Sequence, residues 1–281
     1  MRNMGIITNA DMTIRRQPLN RTYMKNTLFA ALLLAAASLL TAPGARATVV
    51  DLINGNSGTI TNGYGTAQFD WTAAQPTGTG YIKPFLRLQN DPSEQGYNTS
   101  GATPAGPFDD KAGIWTHDLT FANLVTTEVS LNGQLYFKLL LDVNEPGGSK
   151  STITLTDLRF YTSSQGSLTT TDLSQLGTLR YAIGSGNTVN LDAARNNGSG
   201  SGDMFAYIPV SAFAGTAMGD FVYMYCAFGN SDYQSQGGFE EWSLVVNPIP
   251  EASSFFPIIG LLAAVFSTQF VRRRQLAQVS K

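Results

Sequence analysis

The chain has 281 residues, of which 43% are hydrophobic and only 14% are charged, with 28 Gly, 12 Pro, one Cys and one His. Globular domains average about 25% charged residues, so this composition excludes a coiled coil and a charged disordered tail. One Cys excludes an internal disulfide and a Cys-based zinc site, and the net charge of −2 provides no basic surface for nucleic acid.

The charges are unevenly distributed along the chain. Ten of the 18 basic residues lie outside residues 48–251, but only one of the 20 acidic residues does, which leaves that segment with a formal charge of −11. Basic ends around an acidic middle indicate a sorting signal at each terminus.

The N-terminal segment, residues 1–47, has the features of a secretory signal peptide. Lys25 precedes an apolar run over residues 27–40, and the small residues Ala45 and Ala47 follow in an Ala-Arg-Ala sequence. A basic flank, a short apolar core and an A-x-A site are the features that signal peptidase recognises. We therefore expect cleavage after Ala47. Residues 1–23 form either a long basic leader or a stretch upstream of the true start at Met24.

The C-terminal segment, residues 247–281, predicts a membrane anchor. Its apolar run, residues 255–271, has 17 residues, which is at the short limit for a helix that spans a bilayer. Arg272, Arg273 and Arg274 follow directly and should stay on the cytoplasmic side, because cytoplasmic flanks carry the excess of basic residues. The bulk of the chain would then lie outside.

This tail resembles the PEP-CTERM sorting signal of bacterial exosortase substrates. Pro250 and Glu251 match the first two positions of the Pro-Glu-Pro motif, while Ala252 departs from the third. The resemblance covers about 30 residues and the signal peptide. It implies export, transient anchoring in the inner membrane, and cleavage near the motif by an exosortase-type protease, often in association with exopolysaccharide and biofilm. The alternative is a single-pass anchor that is never cleaved.

The segment between the signals, residues 48–246, predicts β-strands. Its apolar runs are rich in β-branched and aromatic residues, several alternate with polar residues, and Gly/Asn/Asp clusters separate them. Only residues 171–176 could form a short helical turn, with Asp172 near its start. The predicted strands are residues 67–71, 81–88, 114–124, 134–143, 151–161, 178–183, 204–210, 221–228 and 239–246.

Short strands separated by polar turns predict one all-β domain, an antiparallel β-sandwich that we expect to be jelly-roll-like. A signal helix and a transmembrane helix would flank it. Several stretches of this segment also resemble a recurrent type of PEP-CTERM passenger, but that resemblance implies no activity. They are residues 85–89, 94–99, 115–117, 141–146 and 237–242.

The strongest candidate for a ligand site is the acidic stretch that follows the strand predicted at residues 134–143. Asp142, Asn144 and Glu145 place three oxygen-bearing side chains together, and calcium takes oxygen ligands from such loops. The stretch does not fit an EF-hand, since Pro146 and Ile153 occupy ligand positions. The alternative is a polar hairpin turn, and calcium is the only cofactor that the sequence suggests.

The sequence argues against an enzyme. His117 lies beside Asp118 without a nucleophile motif, and Cys226 lies in an apolar strand where a thiol behaves as a small hydrophobe. The acidic pairs at 109–110 and 240–241 are neighbours, and neighbours in a strand point to opposite faces, whereas a glycosidase needs two carboxyls on one face.

We therefore expect a non-enzymatic protein of the cell surface or extracellular matrix whose partners are the sorting protease, the membrane and exopolysaccharide. The first alternative is a carbohydrate-binding module, which exposed aromatic residues among Trp71, Trp115, Trp242 and the tyrosines would favour. The second alternative, a secreted glycan hydrolase, requires two facing carboxylates in a cleft.

Overall fold

The structure is a computed structural model that describes residues 47–72, 83–102, 108–196 and 200–245, all within one compact unit of the chain. These residues form fourteen strands, one short α-helix and several 3₁₀ turns. The strands are β1 (Val49–Asp51), β2 (Ser57–Asn62), β3 (Gly65–Trp71), β4 (Pro84–Leu88), β5 (Glu94–Tyr97), β6 (Leu119–Thr120), β7 (Glu128–Leu131), β8 (Gln134–Val143), β9 (Thr152–Ser163), β10 (Thr178–Ala182), β11 (Thr188–Asp192), β12 (Met204–Pro209), β13 (Phe221–Phe228) and β14 (Glu240–Leu244).

Two seven-stranded sheets pack against each other as a sandwich. The first has the order β1-β11-β9-β13-β5, with β10 beside β9 and β6 beside β13. The second has the order β2-β3-β12-β8-β14-β4, with β7 beside β8. Among the described strands, β1 and β11 pair in parallel and the other pairs are antiparallel.

The core lies between the sheets and follows from the alternation in the sequence. In β8, Phe137, Leu139 and Leu141 are all 0% exposed and point to the same side. In β9, Ile153 and Leu155 share the inner face, and both are fully buried. Each large apolar side chain buried in this way contributes roughly 1.5–3 kcal/mol of driving force, so alternation alone selects which face of a strand turns inward.

A second hydrophobic cluster lies on the outer face of the first sheet. Tyr97, Tyr161, Tyr223 and Tyr225 are buried there together with Leu176, which belongs to the segment between β9 and β10. The Tyr97 hydroxyl donates to the carbonyls of Leu168 at 3.1 Å and Thr170 at 2.9 Å, so that this segment is held over the aromatic rings. This sheet is therefore covered on both faces.

The predicted strands are mostly confirmed. Strands β8 and β13 have the predicted bounds, and most of the others agree within a few residues. The helical turn predicted at 171–176 is a 3₁₀ helix, Leu173–Gln175, whose N-cap is Asp172. Five short strands, β1, β2, β5, β7 and β11, were not predicted from the sequence.

The strand predicted over residues 114–124 is wrong. Ile114 is 76% exposed, and the segment contains a loop, the two-residue strand β6 and the helix α1 (Phe121–Val125). The Thr120 side chain accepts from the backbone N–H of Asn123, and the Asn123 side chain accepts from the backbone N–H of Thr120, which forms a capping box. This local capping, with Phe121 and Leu124 buried, favours a helix over a continued strand.

One segment, residues 108–118, covers the edges of both sheets. The Asp109 N–H donates to the Gln95 carbonyl in β5, and the Lys111 N–H donates to the Arg87 carbonyl in β4, at 2.8 and 2.9 Å. Edge strands expose unpaired backbone groups that invite aggregation, so this segment closes one side of the sandwich.

The signal peptide and the sorting signal lie outside the described residues, apart from Ala47, which is exposed at the start of the described chain. Among the described residues, none of the helices combines the length and the apolar character needed to cross a membrane. The predicted span at 255–271 is not in the described part.

Candidate functional site

Acidic side chains concentrate at one end of the sandwich, where the loops 89–93, 144–150 and 229–239 meet. We call this region the acidic end. Five of the carboxyl groups there are buried, with at most 8% exposure: those of Glu94, Asp142, Glu145, Asp203 and Glu240. A buried charge costs free energy unless it is paired or neutralised. Each of these carboxyl groups therefore needs a hydrogen-bond donor, an oppositely charged partner or a proton.

Of the three residues of the predicted calcium loop, Asp142 binds the backbone at Gly200, whereas Asn144 and Glu145 both bind the loop 229–239. The Asp142 carboxylate accepts from the N–H of Gly200 at 2.9 Å. The Asn144 side chain donates to the carbonyl of Phe239 at 3.1 Å. Glu145 accepts from the N–H of Gln236, with both carboxylate oxygens at 2.9 and 3.0 Å. Each side chain therefore stabilises a loop through backbone groups.

The structure gives the calcium prediction no added support. Among the described residues, no group of three or more His, Cys, Asp or Glu side chains has the geometry to hold a metal ion. The alternative of a hairpin turn is wrong, because β8 lies in the second sheet and β9 in the first, so residues 144–151 cross between the sheets. Calcium binding stays a prediction that remains to be measured.

Asp142 and Asp203 form a first pair of buried acids. The Val143 N–H donates to Asp203 Oδ2 at 2.7 Å, while Oδ1 of each aspartate has no hydrogen-bond partner among the described residues. Burial raises the pKa of Asp142 to about 6, and burial together with the neighbouring Asp142 raises the pKa of Asp203 well above its usual value.

Glu94 and Glu240 form a second pair, which sequence reasoning missed. They come from β5 and β14, in different sheets; both side chains are buried in the core, at 1% and 0% exposure, and each carboxyl group acts on the pKa of the other. Burial raises the pKa of Glu94 to about 7 and raises that of Glu240 well above its usual value. No sequence signal joins the two residues, because only the packing of the sheets brings them together.

A cluster on the second sheet combines two exposed aromatic rings with an ion pair that is largely buried. The Arg87 guanidinium lies 3.9 Å from the ring centroid of Trp115 and 4.8 Å from that of Phe239. It also forms an ion pair with Glu241. Trp115 and Phe239 remain 38% and 37% exposed. We call Arg87, Trp115, Phe239 and Glu241 the aromatic platform.

The backbone places the platform residues. Arg87 is on β4 and Glu241 faces it in register on the adjacent β14. The loop that carries Trp115 runs alongside β4, since Thr116 Oγ1 accepts from the Arg87 N–H at 3.2 Å and the His117 N–H donates to Phe85 at 3.0 Å. The rings are therefore fixed on a sheet edge, and cation–π contact adds rigidity.

The other candidate residues from the sequence are packed against neighbouring groups of the fold. Trp242 is fully buried, and Trp71 is half-buried under the Arg195 guanidinium at 4.2 Å. Cys226 is 0% exposed in β13, as predicted, and burial raises the pKa of its thiol. The His117 ring nitrogen Nδ1 lies 3.0 Å from the Asp118 carbonyl. Glu240 and Glu241 point to opposite faces, as expected of strand neighbours.

The processing candidates are placed only in part. Pro250, Glu251, Ala252, Arg272, Arg273, Arg274 and Ala45 lie outside the described residues.

A small groove of about 170 Å³ between the 3₁₀ helix Gly148–Lys150 and residues 231–236 is lined by polar side chains, including Lys150 and Asp232. It does not include the acid pairs or the platform.

Comparisons with known proteins identify no relative of this chain: no family model, no curated protein and no solved structure matches it.

Proposed function

We propose that the chain is an exported, non-enzymatic protein of the cell surface or extracellular matrix, sorted by a PEP-CTERM-like signal and associated with exopolysaccharide. The observation that carries the proposal is the position of the sandwich, whose strands run from Val49 to Leu244. It lies between a segment with signal-peptide features and a segment with sorting-signal features. Within this proposal the sandwich is jelly-roll-like, and a signal helix and a transmembrane helix over 255–271 flank it.

The burial of the acidic residues supports a role other than catalysis. A glycosidase holds two carboxyls on either side of a bound sugar, in contact with solvent and substrate. Here the contacting pair, Glu94 and Glu240, is 1% and 0% exposed, and Glu241 is bound to Arg87. A substrate cannot reach the pair without opening the core.

Mass spectrometry of the mature surface protein tests the sorting proposal. We expect a C-terminus near Glu251, because an exosortase-type protease would cut beside the motif, whereas a native end at Lys281 would contradict cleavage. Replacing Arg272, Arg273 and Arg274 with Gln should release uncleaved protein, since three guanidinium groups no longer resist crossing the membrane. Lys281→Gln, a basic residue outside the triplet, is the control and should leave sorting unchanged.

A carbohydrate-binding module is the second candidate, and the aromatic platform favours it. The C–H face of a sugar ring is apolar and packs on an exposed aromatic face, which carries partial negative charge. Arg87 is already neutralised by Glu241, and residues 48–251 carry a charge of −11. A neutral glycan therefore fits this surface better than an acidic one.

Glycan-array binding of the full-length protein tests this second candidate. We expect binding to neutral glycans that Trp115→Ala abolishes or weakens at least about tenfold, the effect of losing roughly 1.4 kcal/mol of stacking. Tyr64→Ala is the matched control, because Tyr64 is 37% exposed on a turn away from the platform. Equal loss in both variants, or binding that neither changes, would rule out the platform as the site.

A further inference from the structure

The contact between Glu94 and Glu240 is a junction between the two sheets. Glu94 lies opposite Phe228 in the first sheet, and Glu240 lies opposite Leu88 and Val143 in the second. The sheets are close at this point, since a Cβ atom added at Gly96 would lie 2.7 Å from a Leu88 methyl group. The carboxyl groups therefore meet in surroundings that are mostly apolar.

The pair lacks hydrogen-bond donors. The Asn90 N–H donates to Glu94 Oε2 at 3.0 Å, but Glu94 Oε1 and both oxygens of Glu240 have no donor among the described residues. Two ionised carboxylates offer only acceptors and repel each other. With one proton between them, one carboxyl donates to the other, which removes the repulsion between two charges and satisfies two of the three unpartnered oxygens.

Among the described residues, the ionisable groups that act on Glu94 and Glu240 carry no positive charge that could neutralise the pair. Glu145 acts on both carboxyls, Asp109 acts on Glu94, and Asp142 acts on Glu240, each raising the pKa. The nearby thiol of Cys226 is buried and neutral. All the ionisable neighbours named here are acidic, so a proton is the cation that the described residues allow.

We propose that Glu94 and Glu240 share one proton that fastens the two sheets together, and that losing this proton loosens the acidic end of the sandwich. This device is independent of sorting and of glycan binding. An acid that binds its proton more tightly in the folded chain makes folding favourable at low pH. The stability is full below the unfolded pKa and declines as pH rises through the folded pKa, which for Glu94 is about 7.

Thermal unfolding of the full-length protein between pH 5 and pH 8.5, in EDTA, tests the proposal. We expect the Tm of the wild type to fall by roughly 5–10 °C across this range. Glu240→Gln should reduce that fall by at least about half, because its amide donates to Glu94 at any pH. Glu128→Gln, an exposed glutamate on β7, is the matched control and should keep the full fall. If Glu240→Gln does not fold, Glu94→Gln provides the same comparison.

Labelling of Cys226 provides a local measurement, because this thiol lies beside the pair. Rates are divided by those of the unfolded chain at the same pH, which removes the effect of thiol ionisation. We expect the ratio to rise up to about tenfold per pH unit above pH 7 in the wild type, but not in Glu240→Gln.

Three results would overturn the proposal. The first is a wild-type Tm that does not change with pH, and the second is an equal fall in wild type and Glu240→Gln. The third comes from added calcium. If calcium restores the Tm of the wild type at pH 8.5 and fails to do so in Glu240→Gln, a metal ion rather than a proton neutralises the pair.

Discussion

Asp203 shows how a single buried acid is tolerated in this fold. One oxygen accepts from the Val143 N–H at 2.7 Å, while the other has no partner among the described residues, and the charge of Asp142 acts on the carboxyl group. Asp203 therefore stabilises the start of the β8–β9 connection through this hydrogen bond. Its negative charge, when present, is repelled by that of Asp142. Its protonation state decides which effect is larger.

Replacing Asp203 separates these effects. Asp203→Asn keeps an acceptor for Val143 and removes the negative charge, so we expect it to be at least as stable as the wild type at pH 8 and to gain less at pH 5. Asp203→Ala leaves the buried N–H unpaired and should cost about 1–3 kcal/mol at both pH values. Urea unfolding at the two pH values measures both, and an Asn variant as unstable as the Ala variant would contradict the argument.

At the scale of elements, the segment between β9 and β10 covers one face of the first sheet without forming a strand. It is held by tyrosine hydroxyls that bind its backbone carbonyls, including Tyr97 to Leu168 and Thr170, and Tyr223 to Gln165. The tyrosine hydroxyls supply donors to these partly buried carbonyls while the rings fill the cluster.

Tyr97→Phe tests this cover. The ring and its packing are kept, but the hydroxyl donor shared between the Leu168 and Thr170 carbonyls is lost, so we expect unfolding to require about 1–3 kcal/mol less free energy. Hydrogen exchange should become faster in residues 165–173 and stay unchanged in β8. Tyr64→Phe, at an exposed turn, is the control and should be neutral. A uniform change over the whole protein would show that the hydroxyl does not act on this segment.

At the scale of the whole molecule, one hydrophobic cluster includes inner residues of both sheets, from Val50 in β1 to Trp242 in β14. Neither sheet can keep its inner face dry without the other. The two sheets should therefore unfold together, as small single domains usually do.

Residues 48–246, produced without either terminal segment, should accordingly fold and give a circular dichroism spectrum dominated by β-structure. We expect one unfolding transition that is the same by circular dichroism and by tryptophan fluorescence, since Trp242 reports on the shared core. Two separate transitions would mean that the sheets are independent, and a spectrum dominated by helix would contradict the fold.

The local sequence pattern determined the positions of several strands and the directions of their side chains. Apolar runs bounded by turn residues were enough to predict β8 and β13 and to place Cys226 in the core, and the two-residue period of a strand was enough to put Glu240 and Glu241 on opposite faces. The helix α1 was missed because its capping by Thr120 and Asn123 outweighs the strand-like composition around it.

Only the tertiary structure decided which side chains from different strands and loops contact each other. Glu94 and Glu240 are far apart in sequence and come together because β5 and β14 lie in opposite sheets at the same end of the sandwich. Arg87 and Glu241 meet because β4 and β14 are adjacent. Asp142 and Glu145 are close in sequence but bind different loops. Sheet order and long-range register set these contacts, and short-range periodicity carries no information about either.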